Sequence, residues 1–570
     1  MNSWNSTYPR PSLKRDNNWI ILNDGWLLNG KNITLPFPPE SELSLFDGIL
    51  DDGRGNGTFT YTRKFVIPDE AASCIEAGGH LLLHIGAVDQ TCIVYADDDE
   101  VARSELGYFS IHADITKQAE RALKDGKKEL FLRVQGEDKL DHTKPWGKQK
   151  VDRGGMWYTP VSGIWQSVWC EWVSAEYIRG ITYKVDAEPS SGKATVRFEL
   201  DATPASVKAR LMLPEGVYEF TFAGNSHELD LSSIVINGKK HAVQFWSAEN
   251  PFLYTVEFEY GTDHVLSYFA VRTVSIGEDK GLKRIQINGK SVFLKGVLDQ
   301  GYFHDGIFTP KSPDEYTKDI IRMKELGFNT LRKHIKVEPE IFYYECDRLG
   351  MYVLQDMINN GEYHFWKDTA LATAGLKLDD RGRYPDAGKA RWFMESAKKT
   401  QDFLFNRPCV VGYTVFNEGW GQTDSDAVGD ELKERDSSRF YDYTSGWFAQ
   451  KHSDVESLHV YFRTKKLKAL GLPLLLSEFG GFTREVEGHI WNTEHSYGYG
   501  KCEDEKTLTD KIISTYEKMV LPAIPRGLCG AIYTQVSDIE DEINGFYTYD
   551  RQVCKVDKER ISLFMKKLYI

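Results

Sequence analysis

Between Ser312 and Asp356 the chain twice passes through the same order: an amphipathic helical stretch, a glycine, then a short apolar strand. Ser312-Pro313-Asp314-Glu315 reads as a capping box with proline at the first helical position. Tyr316, Ile320 and Met323 mark one apolar face, and Gly327 ends the helix before a strand at 329–332. A second helix begins near Pro339, ends at Leu349-Gly350 and leads into a strand at 352–356. Two successive helix–glycine–strand units predict a parallel α/β architecture. Later strands fall at 439–443, 458–462, 474–476 and 530–535, while the links at 424–436 and 464–470 are short enough to truncate their helices. The stretch 275–570, roughly 290 residues, suits one (β/α)8 barrel.

The residues before it follow a different period. A chain of 570 residues is too long for one hydrophobic core. Up to residue 173, short β-prone runs alternate with turn residues, as at 58–62, 80–85, 129–134 and 163–169. This predicts an antiparallel β-sandwich. Runs at 194–200 and 253–258 place a second, smaller sandwich of immunoglobulin-like size over 174–274. The expected fold class is therefore multidomain: two β-sandwiches and a C-terminal barrel, with no internal repeat.

Bulk properties exclude some partners. A net charge of −14 argues against nucleic acid or an anionic membrane. No stretch approaches the length of a membrane span, and residues 1–10 lack the basic region and apolar core of a signal peptide, so the expected location is cytoplasmic. The eight cysteines form no CxxC pair, which predicts buried thiols in a reducing compartment. Aromatic residues at 13 % suit stacking on sugar faces, but serve equally well as core.

Two glutamates stand where a buried strand stops and glycines begin. Val410-Val411-Gly412-Tyr413-Thr414-Val415-Phe416-Asn417-Glu418-Gly419 closes on Glu418, and Leu474-Leu475-Leu476-Ser477-Glu478-Phe479-Gly480 on Glu478. Polar residues at the C-terminal ends of barrel strands point into the mouth. With 84 acidic residues in the chain, an Asn-Glu dipeptide alone means little. Two strand-end carboxylates, however, are the minimum apparatus for cleaving a glycosidic bond.

Here the residues carry a resemblance. The run Gly412 to Gln422 resembles the acid/base signature of glycoside hydrolase family 2, the β-galactosidases, β-glucuronidases and β-mannosidases. Ser477-Glu478-Phe479-Gly480 is similar to that family's nucleophile segment. Tyr8-Pro9-Arg10-Pro11 with Trp26, and Ser162-Gly163-Ile164-Trp165, resemble the start and the last strand of its sugar-binding jelly roll; residues 287–290 and 294–297 resemble the entry to its catalytic barrel, and 327–332 its second strand. The resemblance implies a retaining exo-β-glycosidase acting on glycosides or oligosaccharides, with Glu418 as acid/base and Glu478 as nucleophile. It implies that Asn417 bonds the sugar 2-hydroxyl, and that Arg332 and Tyr461 hold Glu478 ionised. It requires no cofactor and no metal. The cluster His304-Asp305 and the pair His334 and His459 also lack ligand spacing on one element.

β-Galactosidase comes first by family base rate; β-glucuronidase, β-mannosidase, β-galacturonidase and α-L-arabinosidase are the alternatives. A catalytically dead carbohydrate-binding protein is the reading from another class, and a homo-oligomer is compatible with either. Further candidates for the sugar pocket are His334 (or a buried structural histidine), Asp299 and Gln300 after the first strand, and Trp420 (platform or packing). His459 (pocket or behind it), Trp447 after the fifth strand, and Tyr533 and Gln535 ending the eighth complete the set. Strand alternation would put Arg332, His334 and Lys336 on one side, so that Lys336 either reads a uronate at the rim or is a solvated loop charge.

Overall fold

A computed structural model describes residues 2–50, 56–140, 142–203, 205–371, 379–381, 386–461 and 464–570; Phe462, which ends one expected strand, lies outside them. Two antiparallel sandwiches precede a parallel barrel. In the first, a six-stranded sheet built around Asn56–Val66 and Glu129–Lys139 faces a four-stranded sheet that includes His80–Ile85 and Val168–Val173. Alternation delivers Phe59, Tyr61, Phe65, Leu130, Leu132 and Val134 to the core between them. In the second, three strands pack on four, closing over Val196, Phe198, Val256, Phe258 and Phe269.

The expected strand at 163–169 breaks in two, Gly163–Ile164 and Val168–Val173. The reason is Trp165, fully buried against Tyr108 and Phe308, with its indole N–H donating to the Gly107 carbonyl at 2.9 Å. That side chain leaves the sheet to join the sandwich to the barrel.

A three-stranded antiparallel sheet, Val274–Asp279, Leu282–Ile287 and Lys290–Ser291, leads into the barrel. Its Asn288-Gly289 turn has both residues at positive φ, 52° and 71°, as a tight hairpin of this hand requires. The barrel strands are β1 (Leu294–Asp299), β2 (Thr330–Lys333), β3 (Tyr352–Asp356), β4 (Val410–Asn417), β5 (Phe440–Ser445), β6 (Glu456–Val460), β7 (Leu474–Gly480) and β8 (Leu528–Thr534). All neighbours pair in parallel from β5 back through β1 to β8 and on to β6. Helices α1 (Asp314–Glu325), α2 (Glu340–Leu349), α3 (Ala387–Leu404), α4 (Ser425–Arg435), α5 (Glu505–Thr515) and α6 (Lys558–Met565) lie outside.

Three local expectations change. Helix α1 begins one residue late, with Pro313 at its cap and no side-chain capping bond, because Glu315 pairs with Lys318 instead. The link at 424–436 is not truncated: it holds α4, three turns long, packed through Leu432. The link at 464–470 holds no helix, as its length predicts.

The largest change follows β2. Ile335 sits at φ 53°, so the chain turns there and alternation stops. Lys336 consequently leaves the rim and is buried, its ammonium donating to the carbonyls of Gly301 (2.5 Å) and Phe308 (2.8 Å) and pairing with Glu338 at 3.1 Å. Burial pushes its pKa down to about 8, with Glu338 opposing. Lys333 pairs with the same carboxylate and with Asp299, both at 2.8 Å. Neither the rim lysine nor the solvated loop charge expected from alternation describes Lys336; it is scaffold.

Glu338 is thus the shared counter-charge of two buried lysines. Glu338→Ala should leave both ammonium groups under-compensated and cost about 3–5 kcal/mol. The expected readout is a clear fall in the denaturation midpoint, measured by near-UV circular dichroism; an unchanged midpoint would remove Glu338 from the scaffold.

Candidate active site

Glu418 and Glu478 meet across the C-terminal mouth of the barrel. One carboxylate oxygen of each, together with a ring nitrogen of His459, lie within 4.8 Å of one another. Glu418 follows β4 directly and takes φ 53°, an uncommon conformation for a non-glycine residue, between Asn417 and Gly419 at φ 70°. Its N–H donates to the Ser445 carbonyl at 2.9 Å, which holds the turn against β5. Glu478 stands inside β7, where the pairing with both neighbouring strands shifts register. A bulge of this kind re-aims side chains. It lets consecutive residues Ser477 and Glu478 both bond inside the barrel, which strict alternation would forbid.

The two carboxylates have unequal surroundings. Glu478 accepts from Arg332 Nη1 at 2.9 Å on Oε1 and from the Tyr461 hydroxyl at 2.5 Å on Oε2. Burial works against its charge, but His459, Arg332, His334 and the Tyr461 bond together outweigh it and hold its pKa down at about 2. Glu418 has no guanidinium. Its Oε1 faces His459 Nδ1 at 2.7 Å, and 13 % of its side chain is open to solvent against 6 % for Glu478. His459 spans the pair, with Nδ1 3.4 Å from Glu478 Oε2 and Nε2 3.0 Å from Ser445 Oγ.

Arg332 organises the rest. It donates to Asp356 Oδ1 on β3 (3.0 Å), Asn417 Oδ1 on β4 (2.8 Å) and the Ser477 carbonyl on β7 (3.1 Å). Burial disfavours its charge, yet Asp356 and Glu478 outweigh that and raise its pKa above the usual value. His334 Nδ1 meets the other Asp356 oxygen at 2.7 Å. Tyr461 also contacts Thr534 Oγ1 at 2.9 Å and stacks on Tyr499, centroids 4.5 Å apart.

The structure therefore brings together Glu418, Glu478, Asn417, Arg332, His334, Tyr461 and His459. Trp447 lies beside His459, ring centroids 5.4 Å apart. The remaining candidates have other partners. Asp299 is engaged by Lys333 and by the Gly301 N–H; burial would raise its pKa, but Lys333 brings it below the usual range. Gln300 is buried, with Oε1 lacking a partner among the described residues. Trp420 keeps only 2 % exposure, donates to the Gly361 carbonyl and packs edge-on against Trp146 and Trp157, which favours packing over a sugar platform. Tyr533 packs among Phe479, Phe482 and Phe546; Thr534 takes the inward position beside Tyr461. Gln535 bonds Asn544, which bonds Glu542 in turn.

Residues missed from sequence are Asp356, Ser445, Ser477, Thr534, Tyr499 and the Asn544–Glu542 pair. Asp356 carries the same signal as the glutamates, an acid closing a buried strand; the others carry no local signal. Glu418, His459 and Glu478 are also close enough to ligate a cation. Both Glu478 oxygens already accept, from Arg332 and Tyr461, so side chains compensate its charge.

Residues 279–478 match the model for the TIM barrel domain of glycosyl hydrolases family 2, a span that contains both glutamates. The barrel segment of this chain is similar to that domain. It is 27 % identical over 454 residues to a β-galactosidase of Lactococcus lactis, covering 75 % of this chain and 40 % of that protein. It is 27 % identical over 426 residues to a putative β-glucuronidase of Formosa agariphila, covering 70 % and 46 %. The chain thus spans less than half the length of these curated relatives. A Ruminococcus gnavus β-glucuronidase solved with uronic isofagomine shares the fold at TM-score 0.73 and 16 % identity, covering 99 % of each chain. No helix among the described residues is long and apolar enough to cross a membrane.

The sign of the Glu478 shift has a consequence. Its folded pKa lies below the ordinary 4.5, so its ionisation favours the fold above pH 4.5 and that contribution disappears as pH falls through about 2. The acidic limb of kcat/KM should accordingly lie well below pH 4.5. Tyr461→Phe removes one of the bonds that favour the anion, and should move that limb upward in a pH–rate profile on an activated aryl glycoside. A limb that stays put would belong to another group.

Proposed function

We propose that the protein hydrolyses terminal β-linked sugars by double displacement with retention. The observation that carries this is the pair of carboxylates within 4.8 Å, one held ionised by Arg332 and Tyr461 and one free of such charge. Retaining hydrolysis needs carboxyl groups ~5 Å apart, whereas inversion needs ~6.5–9.5 Å to admit a water.

Glu478, held as the anion, attacks the anomeric carbon. Glu418 gives its proton to the departing oxygen, and the aglycone leaves from the more open side. Glu418, now ionised, takes a proton from water, whose oxygen attacks the anomeric carbon and frees Glu478. Asn417, fixed through its Oδ1 by Arg332, turns its amide N–H groups to the sugar, where a bond to the 2-hydroxyl strengthens in the transition state. For the sugar itself, the curated relatives bear the names β-galactosidase and β-glucuronidase, and family base rate puts the galactoside first. A panel of chromogenic β-galactoside, glucuronide, mannoside, glucoside and galacturonide, with α-L-arabinosides, read as relative kcat/KM, decides between them.

Glu478→Ala should lower turnover by on the order of 10⁴ or more, as removal of a nucleophile does. Azide should then restore turnover as an α-glycosyl azide. Glu418→Ala should cost about 10²–10⁴ on substrates with poor leaving groups. It should spare activated aryl glycosides and yield the β-azide. Reversed product configurations, read by NMR, would reverse the two roles.

A further inference from the structure

The loop that carries Trp146 and Trp157 leaves the first sandwich and crosses to the barrel mouth. Trp146 and Gly147 donate their N–H groups to the Asn359 carbonyl, beyond β3, at 3.2 and 3.4 Å. Gly147 lies so close to the turn after β2 that a Cβ there would come within 3.0 Å of the Ile335 carbonyl. The next residue is Lys148. It is 7 % exposed, and its ammonium makes no hydrogen bond or ion pair among the described residues. It lies over the face of Trp157, 5.3 Å from the ring centroid. Trp157 in turn packs against Trp420 and Tyr363 beside the Glu418 turn.

A buried ammonium is costly unless a counter-charge meets it. The acids around it are already engaged. Both oxygens of Glu542 accept, from the Tyr158 hydroxyl and from Asn544 Nδ2. Both oxygens of Glu478 accept from Arg332 and Tyr461, and both of Asp356 are taken by Arg332 and His334. Yet the ammonium lies within electrostatic reach of the site. Burial depresses the His334 pKa and Lys148 adds to that; burial raises the Glu542 pKa and Lys148 opposes it.

Resting on the glycosidase reading above, we propose that Lys148 is a specificity-determining residue that binds an anionic substituent, a carboxylate or a sulfate, on the sugar held between Glu418 and Glu478. The role expected of a lysine at the rim belongs to this one, delivered by the first sandwich, and not to Lys336. The substrate is then an acidic glycoside, and the neutral galactoside is its poorer analogue.

The test compares wild type, Lys148→Met and Lys148→Arg on 4-nitrophenyl β-D-glucuronide, β-D-galacturonide, β-D-galactoside and its 6-sulfate. Wild type should favour one of the acidic substrates. Lys148→Met should cost that substrate about 10- to 150-fold in kcat/KM, the equivalent of a charged hydrogen bond, and leave the galactoside within about threefold. Lys148→Arg should retain part of the preference. A second readout is independent of turnover: D-glucuronate, D-galacturonate or galactose 6-sulfate should raise the thermal midpoint of wild type but not of Lys148→Met, while D-galactose should not distinguish them. Whichever acid responds identifies carboxylate or sulfate. Equal losses on acidic and neutral substrates, or an acidic preference that survives Lys148→Met, would overturn the proposal, as would a wild type that prefers the galactoside. Wild type inactive on all four and on the mannoside, glucoside and α-L-arabinosides of the panel above would overturn the glycosidase reading, and the thermal shifts would still decide whether Lys148 binds an anionic sugar.

Discussion

The guanidinium of Arg332 ties four strands to one point. Through Asp356, Asn417, Ser477 and Glu478 it joins β2 to β3, β4 and β7, so the mouth of the barrel is cross-braced through its interior as well as around its wall. Burying that charge is expensive, and only complete hydrogen bonding makes it tolerable. The same bonds that satisfy Arg332 fix the Glu478 carboxylate and orient Asn417. Stability at this point and the ionisation of Glu478 are therefore one arrangement, and the planar fork of arginine is suited to it where a lysine would make a single point contact.

The asymmetry between the glutamates follows. Arg332 and Tyr461 favour the anion at Glu478, while Glu418 sits on a strained turn, more open, with His459 facing its Oε1. Two acids of one type thus have different polar partners. His459 touches both and couples the two sides of the site. Behind them, a cluster of Trp146, Trp157 and Trp420 seals the first sandwich to the barrel. The sandwich is thus part of the pocket wall.

Much of this was legible before any coordinates. Local periodicity marked α1, β2, α2 and β3 to within a residue or two, because a buried parallel strand and an amphipathic helix each advertise themselves within a short window. Glu418 and Glu478 were legible because a carboxylate closing an apolar strand is a conflict that folding alone does not explain. The extended reading of Lys336 failed because it presumed alternation past His334, and one residue at positive φ, Ile335, ended it. Tyr533 packs away from the inward position for a related reason: a place near a strand end says that a side chain is near the mouth, not which way it faces, and of the two readings open for Trp420 the contacts favour packing.

The sequence by itself determined the order of the modules, the barrel and the two acids at strand ends, all of which depend on neighbours a few residues away. Tertiary structure alone decided the rest. It brought β2 and β7 to opposite ends of one guanidinium, placed a bulge at Glu478, paired Lys333 and Lys336 through Glu338, and left the Lys148 ammonium without a hydrogen-bond or ion-pair partner among the described residues. The physical reason is that the state of a charged group is set by burial and by the charges within a few ångströms, and which groups come that close depends on how the chain turns and on partners as far apart as Arg332 and Glu478.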